Sequence, residues 1–267
     1  SKILLHHTQN IKKMKKLYSI LILLASFLFN ANNLLAQESE TDYRSKVPKF
    51  KFSESLKEQL SELKDNPLMI RFEESRKAFK DDPYRPNYHF VSPEGNLNDP
   101  NGLCFWKGRW HLFYQGYPPE DPRQHWGHAV SDDLIHWKDL PYAIYPDPES
   151  ACFSGSTLVE ENRVIAMYHG WGLGNMVAVS DDPLLLNWEK IGNESVIPHE
   201  NPSGFPLPYA IYDPNIWKKD DVYYSLSGAR VKNGPGGKPI ADAYLFRSKD
   251  LEHWQYMHSF VEQDRFT

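Results

Sequence analysis

Three regimes of hydrophobic patterning follow one another along the chain. Leu17 to Phe29 is an apolar run of 13 residues, preceded by Lys12, Lys13, Lys15 and Lys16. Leu56, Leu60 and Leu63 then recur at helical spacing between Ser53 and Lys64, and a second short helix is expected from Met69 to Phe79. The stretch Asp81-Asp82-Pro83-Tyr84-Arg85-Pro86 stops any helix. From Tyr88 onward the pattern becomes short strands parted by turns. The runs Leu103–Trp106, Arg109–Tyr114, His125–Ser131, Ser156–Glu160, Val164–His169, Asn175–Ser180, Asn215–Lys218, Val222–Ala229 and Ala241–Ser248 read as strands.

The strand-rich region also repeats itself. Ser131-Asp132-Asp133-Leu134-Ile135-His136-Trp137 recurs as Ser248-Lys249-Asp250-Leu251-Glu252-His253-Trp254. A degenerate copy, Ser180-Asp181-Asp182-Pro183, leads to Trp188, and the Trp spacings are 188 − 137 = 51 and 254 − 188 = 66. Repeats of this period in strand-only sequence predict an all-β fold of propeller blades. The repeated unit is read as a blade corner, its Asp bracing the turn and its Trp packing against the next blade. As a turn motif it carries no chemistry.

The segments before the strands divide accordingly. The basic start, the apolar run and Leu34-Leu35-Ala36 have the order of a secretory signal with cleavage before Gln37, and the run is short for a bilayer span. An uncleaved anchor is the alternative. Met14 is the natural initiator, which gives residues 1–13 as an upstream extension, 14–36 as the signal, 37–84 as a charged, partly helical leader and 85–267 as the strand domain. An exported protein, periplasmic or extracellular, with no stable membrane span after cleavage is expected.

Composition narrows the functional classes. A net charge of −5 without a basic stripe argues against nucleic acid as a partner. Eight Trp and 15 Tyr suit both a β-rich core and a carbohydrate site, where rings stack on sugar faces. Cys104 and Cys152 are too few for a disulfide framework and sit in apolar runs, so buried free thiols are expected over a pair. Neither has the neighbours of a zinc site.

The candidate chemistry centres on Asn98-Asp99-Pro100-Asn101-Gly102, read as a sharp turn that holds one carboxylate just ahead of an aromatic-rich strand. Tyr212-Asp213-Pro214-Asn215 repeats the unit before Ile216-Trp217. Together with Phe113-Tyr114-Gln115, Trp126-Gly127-His128-Ala129-Val130-Ser131 and Phe153-Ser154-Gly155-Ser156, the first motif stands in the order found in glycoside hydrolase family 32, the invertases, levanases, inulinases and other β-fructosidases. Residues from about 84 to 267 resemble that family. The resemblance implies a five-bladed β-propeller, of which about the first three blades are present, and a retaining glycosidase acting on an oligo- or polysaccharide. It implies Asp99 as nucleophile and Asp213 as stabiliser of the oxocarbenium-like transition state. Asn98, Gln115, Trp126, Phe153 and Ser154 match sugar-contacting positions. Two carboxyls and water do this chemistry, so neither metal nor organic cofactor is expected. Packing roles are the alternative at each contact: Gln115 as a surface strand residue, Trp126 as an inter-blade plug, Ser154 as a turn former. His128 and His169 are expected to hydrogen-bond within blades, and Glu120, Asp121 and Asp147 to be solvated loop charges.

Three departures from the family pattern bear on specificity. Asn96-Leu97 stands where the family usually has Trp-Met, which removes an aromatic wall beside Asp99. Tyr212 replaces an Arg, whose rigid fork of donors it cannot mimic. The general acid of the family is a Glu before Cys, soon after the position of Trp254; Glu262 lacks that motif, and the acid is expected a few residues beyond Thr267. A furanosidase acting on arabinose-containing glycans and a non-catalytic sugar-binding propeller are the alternatives.

Overall fold

The expected run of strands resolves into three antiparallel sheets. The computed structural model describes residues 44–86, 88–192, 194–199, 210–231 and 240–260; the signal-like segment, the upstream extension and Glu262 lie outside them. The first sheet is β1 (Leu97–Trp106), β2 (Arg109–Gly116), β3 (His125–Ser131) and β4 (Trp137–Ile144), paired in chain order. The second holds β5 (Cys152–Val159), β6 (Val164–Gly170), β7 (Gly174–Ser180) and β8 (Glu189–Lys190), with β9 (Ile197–Pro198) also on β7. The third is β10 (Ala210–Lys219), β11 (Val222–Val231), β12 (Ile240–Ser248) and β13 (Gln255–Ser259). Each is an up-and-down meander, the unit of a propeller blade. The β1–β2 hairpin closes through Lys107 (φ 43°) and Gly108 (φ 84°), the two positive φ values that a twisted two-residue turn requires.

The sheets stack through strands buried on both faces. Val164, Ala166 and Tyr168 of β6 pack with Phe113 and Trp126 of the first sheet, while Ile165 and Met167 pack with Ile211, Ile216 and Phe246 of the third. This period-2 division between two cores is why β6 reads as an almost continuous apolar run. The first strands are stitched by the next two side chains of β5, which point opposite ways for the same reason. Thr157 Oγ1 donates to Gly102 O (3.1 Å), whereas Ser156 Oγ donates to Pro214 O (3.3 Å) and accepts from Ile216 N–H (2.9 Å). A Cβ on Gly102 would lie 2.5 Å from Thr157 Cγ2, at a φ of +35°, so the close approach needs glycine there.

The repeated corners use their Asp as expected. Asp133 Oδ1 accepts from the amides of Ile135 and His136, and Asp250 Oδ1 from those of Glu252 and His253. The Leu at each corner is left-handed (Leu134, Leu185, Leu251), and its carbonyl accepts from the indole of the Trp three residues on. Trp188 and Trp254 pack backward, not onto a following sheet, while Trp137 meets Phe90. Trp188 meets Phe113 of the first sheet edge-on at 5.5 Å, and Trp254 joins the core between the second and third sheets.

The degeneracy of the second corner has a physical cause. At the other two corners a His ring, His136 or His253, pairs with the bracing Asp. At Asp182 that place is taken by Gln59 of α1 (Leu56–Glu62), whose Nε2 donates to Asp182 Oδ1 at 2.8 Å while its Oε1 accepts from Leu184 N–H. The leader is therefore docked. Ser55 caps α1 by accepting from Glu58 N–H, and Asn66 with Pro67 starts α2 (Pro67–Ala78). Leu68 and Phe72 of α2 are buried with Tyr142 and Tyr145. Arg71 spans Glu94 and Glu120 at 2.5 and 2.7 Å, and Arg76 forks onto Asp139. Asp121, expected to be solvated, is instead buried, accepting from Arg123 and from Lys46 N–H. Glu120 is likewise paired.

One ion pair joins a fully buried carboxylate to a partly buried lysine. Glu149 Oε1 accepts from Lys190 Nζ (2.5 Å) and from the Tyr168 hydroxyl (2.7 Å), and Lys190 also donates to Tyr145 O and Asp147 O, both at 2.7 Å. Cys104 and Cys152 are buried free thiols; burial raises the first to about 12 and the second well above its usual value. No helix among the described residues is long and apolar enough to cross a membrane.

Two stability predictions follow from this packing. Gln59→Ala removes one donor from Asp182 Oδ1 and one of the two acceptors of Leu184 N–H, which keeps its bond to Asp182 Oδ1, and should lower unfolding free energy by about 0.5–1.5 kcal/mol in a urea titration; an unchanged midpoint would show this contact to be dispensable. Burial holds His111, His125 and His169 at about 4 and His128 lower still, against an ordinary 6.5. Their neutral state is shared by folded and unfolded chains above pH 6.5. Below it the unfolded chain takes up protons first, so stability should decline as pH falls from 6.5 towards 4, each ring adding a slope of up to about 1.4 kcal/mol per pH unit. A flat thermal midpoint across that window would contradict the assignment.

Candidate active site

Asp99 does not lie on a turn. It lies inside β1, where the register with β2 shifts between Leu97 (opposite Gly116) and Pro100 (opposite Tyr114), so that Asn98 and Asp99 together face Gln115. Both other first strands do the same. In β5 the shift falls between Cys152 and Gly155, placing Phe153 and Ser154 opposite His169. In β10 it falls between Ile211 and Pro214, placing Tyr212 and Asp213 opposite Gly228. Each is a bulge, two residues against one, and a bulge re-aims the side chains it carries. The sequence parallel between Asp99 and Asp213 is thus a structural equivalence, with Ser154 as its third member.

The bulges bring side chains from different sheets together. Asp99 Oδ2 accepts from Ser154 Oγ at 2.7 Å and from Gln115 Nε2 at 3.3 Å, and Gln115 Nε2 also reaches Ser154 Oγ at 2.6 Å. Gln115 is oriented from behind by Gln124, whose Nε2 donates to Gln115 Oε1 (3.0 Å) and to the Tyr117 hydroxyl. Asn98 Nδ2 donates to the same hydroxyl at 2.7 Å. Both carboxylates are open to solvent. Asp213 is nevertheless raised from its ordinary value, first by burial of its inner side and then by the negative charge of Asp99, with a bond from its own amide opposing.

Phe153 and Trp126 are placed differently. Trp126 is fully buried, its ring against Phe113 and Tyr168 and its indole donating to Phe153 O at 2.9 Å. It has the plug position, and bears on the site through the backbone of Phe153. The Phe153 ring stacks on half-exposed Trp171 with centroids 5.0 Å apart. Five rings adjoin there: Phe153, His169, Trp171, His199 and Tyr212. Sequence reading missed His169 as a neighbour of the site. The signal was its place opposite a bulge, which only the register reveals. Among the described residues, no group of three or more His, Cys, Asp or Glu is arranged to hold a metal ion.

Two carboxylates on the first strands of the first and third sheets, either side of Ser154 on the second, with hydroxyl and amide donors beside one and aromatic rings beside the other, are groups suited to holding a carbohydrate. The profile of the glycosyl hydrolases family 32 N-terminal domain matches residues 89–266, and the chain belongs to that family, whose N-terminal domain is a β-propeller. The levanase of Bacillus subtilis (strain 168) is 34% identical over 200 residues, 68% of this chain and 27% of the relative. Sucrose-6-phosphate hydrolase of the same organism is 32% identical over 189 residues, 66% of this chain and 37% of the relative. Among solved structures, a Bombyx mori GH32 beta-fructofuranosidase in complex with sucrose superposes with a TM-score of 0.58 at 30% identity, over 75% of this chain and 44% of that one. Fructan 1-exohydrolase IIa of Cichorium intybus gives 0.56 at 32% identity, over 66% and 34%. The chain thus spans well under two thirds of these relatives.

The electrostatic coupling between the two carboxylates is testable directly. Asp99→Asn removes the charge that raises Asp213, so the Asp213 carboxyl should titrate at lower pH in the variant. Carboxyl-carbon NMR titration measures this; an unmoved Asp213 would mean the two groups do not sense each other.

Proposed function

We propose that this chain carries the nucleophile half of a retaining hydrolase that cleaves β-fructosidic bonds in fructans or smaller fructosides. The observation that carries the reading is the pairing of Asp99 and Asp213 on equivalent bulges, with Ser154 and Gln115 donating to Asp99 Oδ2. Asp99 would attack the anomeric carbon, forming a glycosyl-enzyme that water then opens with retention. The donors from Ser154 and Gln115 fix which carboxylate oxygen is occupied. Asp213 would hold sugar hydroxyls and, when ionised, stabilise positive charge developing on the ring. Its raised titration makes that role weaken as pH falls, an acidic limit for the reaction.

A retaining mechanism needs a second carboxyl to protonate the leaving oxygen. We assign it to sequence after the third sheet, in the remaining blades of a five-bladed propeller of which these sheets would be the first three. The open flanks support this. Leu103 and Phe105 on β1 are half exposed at 53% and 51%, and Tyr256, Met257 and Phe260 at the other flank are also uncovered. Residues 85–267 would then be the partial propeller, and 14–36 a cleaved export signal. The relatives are named for fructose-containing substrates, which favours fructosides over arabinose-containing glycans.

Fructose release from levan, inulin and sucrose tests this reading, comparing the 267-residue chain with a product extended past Thr267. The extended protein should be active, the shorter one inactive, and Asp99→Asn in the extended protein should lower kcat/KM by roughly 10³-fold or more. Turnover by the shorter chain would refute the division of the catalytic pair; an active Asp99→Asn would refute the nucleophile.

A further inference from the structure

Asn98 and Asp99 are exposed, and the bulge takes both out of the regular ladder, yet their side chains belong to one closed circuit of hydrogen bonds. The circuit starts at the carboxylate. Ser154 Oγ has one proton and gives it to Asp99 Oδ2 at 2.7 Å, so it accepts from Gln115 at 2.6 Å. Asp99, as a nucleophile, is a carboxylate and likewise only accepts. Both neighbours therefore require the amide nitrogen of Gln115, which turns Gln115 Oε1 towards Gln124, 3.0 Å away. Gln124 presents Nε2 to that oxygen and its second N–H to the Tyr117 hydroxyl. The same hydroxyl lies 2.7 Å from the Asn98 amide; a phenol can accept or donate, so the bridge holds with either end of that amide. Asn98 precedes Asp99 in the chain, and the circuit closes.

Two features separate this circuit from incidental contacts. Gln124 Oε1 is buried without a partner, so the amide turns both N–H groups into the circuit and leaves its own acceptor unsatisfied, an arrangement that calls for a functional reason. The circuit is also fastened to its surroundings. Tyr117 directly follows β2 and Gln124 directly precedes β3. Gln124 O accepts from Cys152 N–H at 2.9 Å, just ahead of the bulged residues that include Ser154. Gly95, at a φ of +63°, passes so close to Tyr117 that a Cβ there would collide with Tyr117 O, which presses the entry of β1 onto the residue carrying the bridge.

Resting on the hydrolase reading above, we infer that Gln124 and Tyr117 are positioning residues for the nucleophile: the circuit Asp99–Gln115–Gln124–Tyr117–Asn98 sets the direction of the Asp99 carboxylate and of Asn98 beside it. Both side-chain donors fall on Oδ2, so Oδ1, which accepts from no described residue, is the oxygen left to face a sugar. Neither Gln124 nor Tyr117 has to touch the substrate. Without the circuit the two exposed side chains regain their rotamers, and a displacement of about 1 Å from a productive pose costs up to about a hundredfold in rate. The loss falls mainly on kcat, because Asp213 and the ring wall that also hold the sugar are left untouched.

The test uses the protein extended past Thr267, with levan and sucrose as substrates. Gln124→Leu removes both N–H donors at similar volume; Tyr117→Phe removes one hydroxyl. Each should lower kcat roughly tenfold to hundredfold, with KM within about threefold and a thermal midpoint close to that of the unaltered protein. Residues of one circuit act as a unit, so the double variant should lose no more than the worse single one. For the same reason Gln124→Leu should cost nothing further in a Gln115→Ala background. An unchanged kcat in both single variants would overturn the inference while leaving the hydrolase reading intact. Losses that multiply in the double variant, or that fall on KM instead of kcat, would overturn it too. If Gln124→Leu does not fold, Tyr117→Phe decides by the same kcat and KM criteria. An unaltered protein that releases no fructose would bring down the hydrolase reading, and this inference with it.

Discussion

The site depends on a repeated irregularity of the backbone. A strand alternates its side chains between faces, and here both faces of the inner strands are needed for packing between neighbouring sheets. Ser156 and Thr157 show the demand plainly, one bonding towards the third sheet and the other towards the first. A regular strand has no spare direction for a functional group. Setting two residues against one frees Asp99, Ser154 and Asp213 from that alternation at the same level of three successive sheets. Everything the site does electrostatically follows from this shared level, because it brings the two Asp close enough for one charge to raise the other.

The same economy of space explains the buried polar groups. A core shared between sheets must accommodate histidines, an ion pair and two thiols in a low-dielectric interior. Glu149 is tolerated because its Oε1 has several partners, among them a lysine that stays partly in contact with water, which offsets the cost of burying the carboxylate. The histidines are tolerated by staying neutral. His111 Nδ1 and His128 Nε2 lie 2.9 Å apart, a contact that allows one proton between them and not two full charges. Such an interior is stable near neutrality and sensitive to acid.

The leader is part of this arrangement and not an appendage to it. Its helices cover the outer strand β4, whose residues from Leu140 to Ile144 are buried, and Gln59 completes a corner that lacks its own histidine. Strand β4 escaped recognition for that reason. Trp137-Lys138-Asp139-Leu140-Pro141-Tyr142-Ala143-Ile144 neither alternates nor avoids Pro, as a half-solvated strand should, because a helix replaces solvent on part of it. The last strand of the third sheet, Gln255–Ser259, is mostly exposed and has no apolar alternation to detect.

The sequence by itself determined the all-β class, the corner repeats, both short helices, the free thiols and, through ordered motifs, the family. Those features are local: they depend on periodicity, on turn chemistry or on residue types in a fixed order. It also identified Asp99 and Asp213 as counterparts, although it placed Asp99 on a turn. What tertiary structure alone decided was register. A bulge changes which residue faces which without altering any local propensity, so nothing in Cys152-Phe153-Ser154-Gly155 announces that Ser154 meets Asp99, or that His169 stands where Gln115 stands one sheet earlier. Nor can a string of residues show that Trp126 is sealed between sheets while Trp171 stays half open. Periodicity is a property of one strand; the site is a property of three strands held at one level.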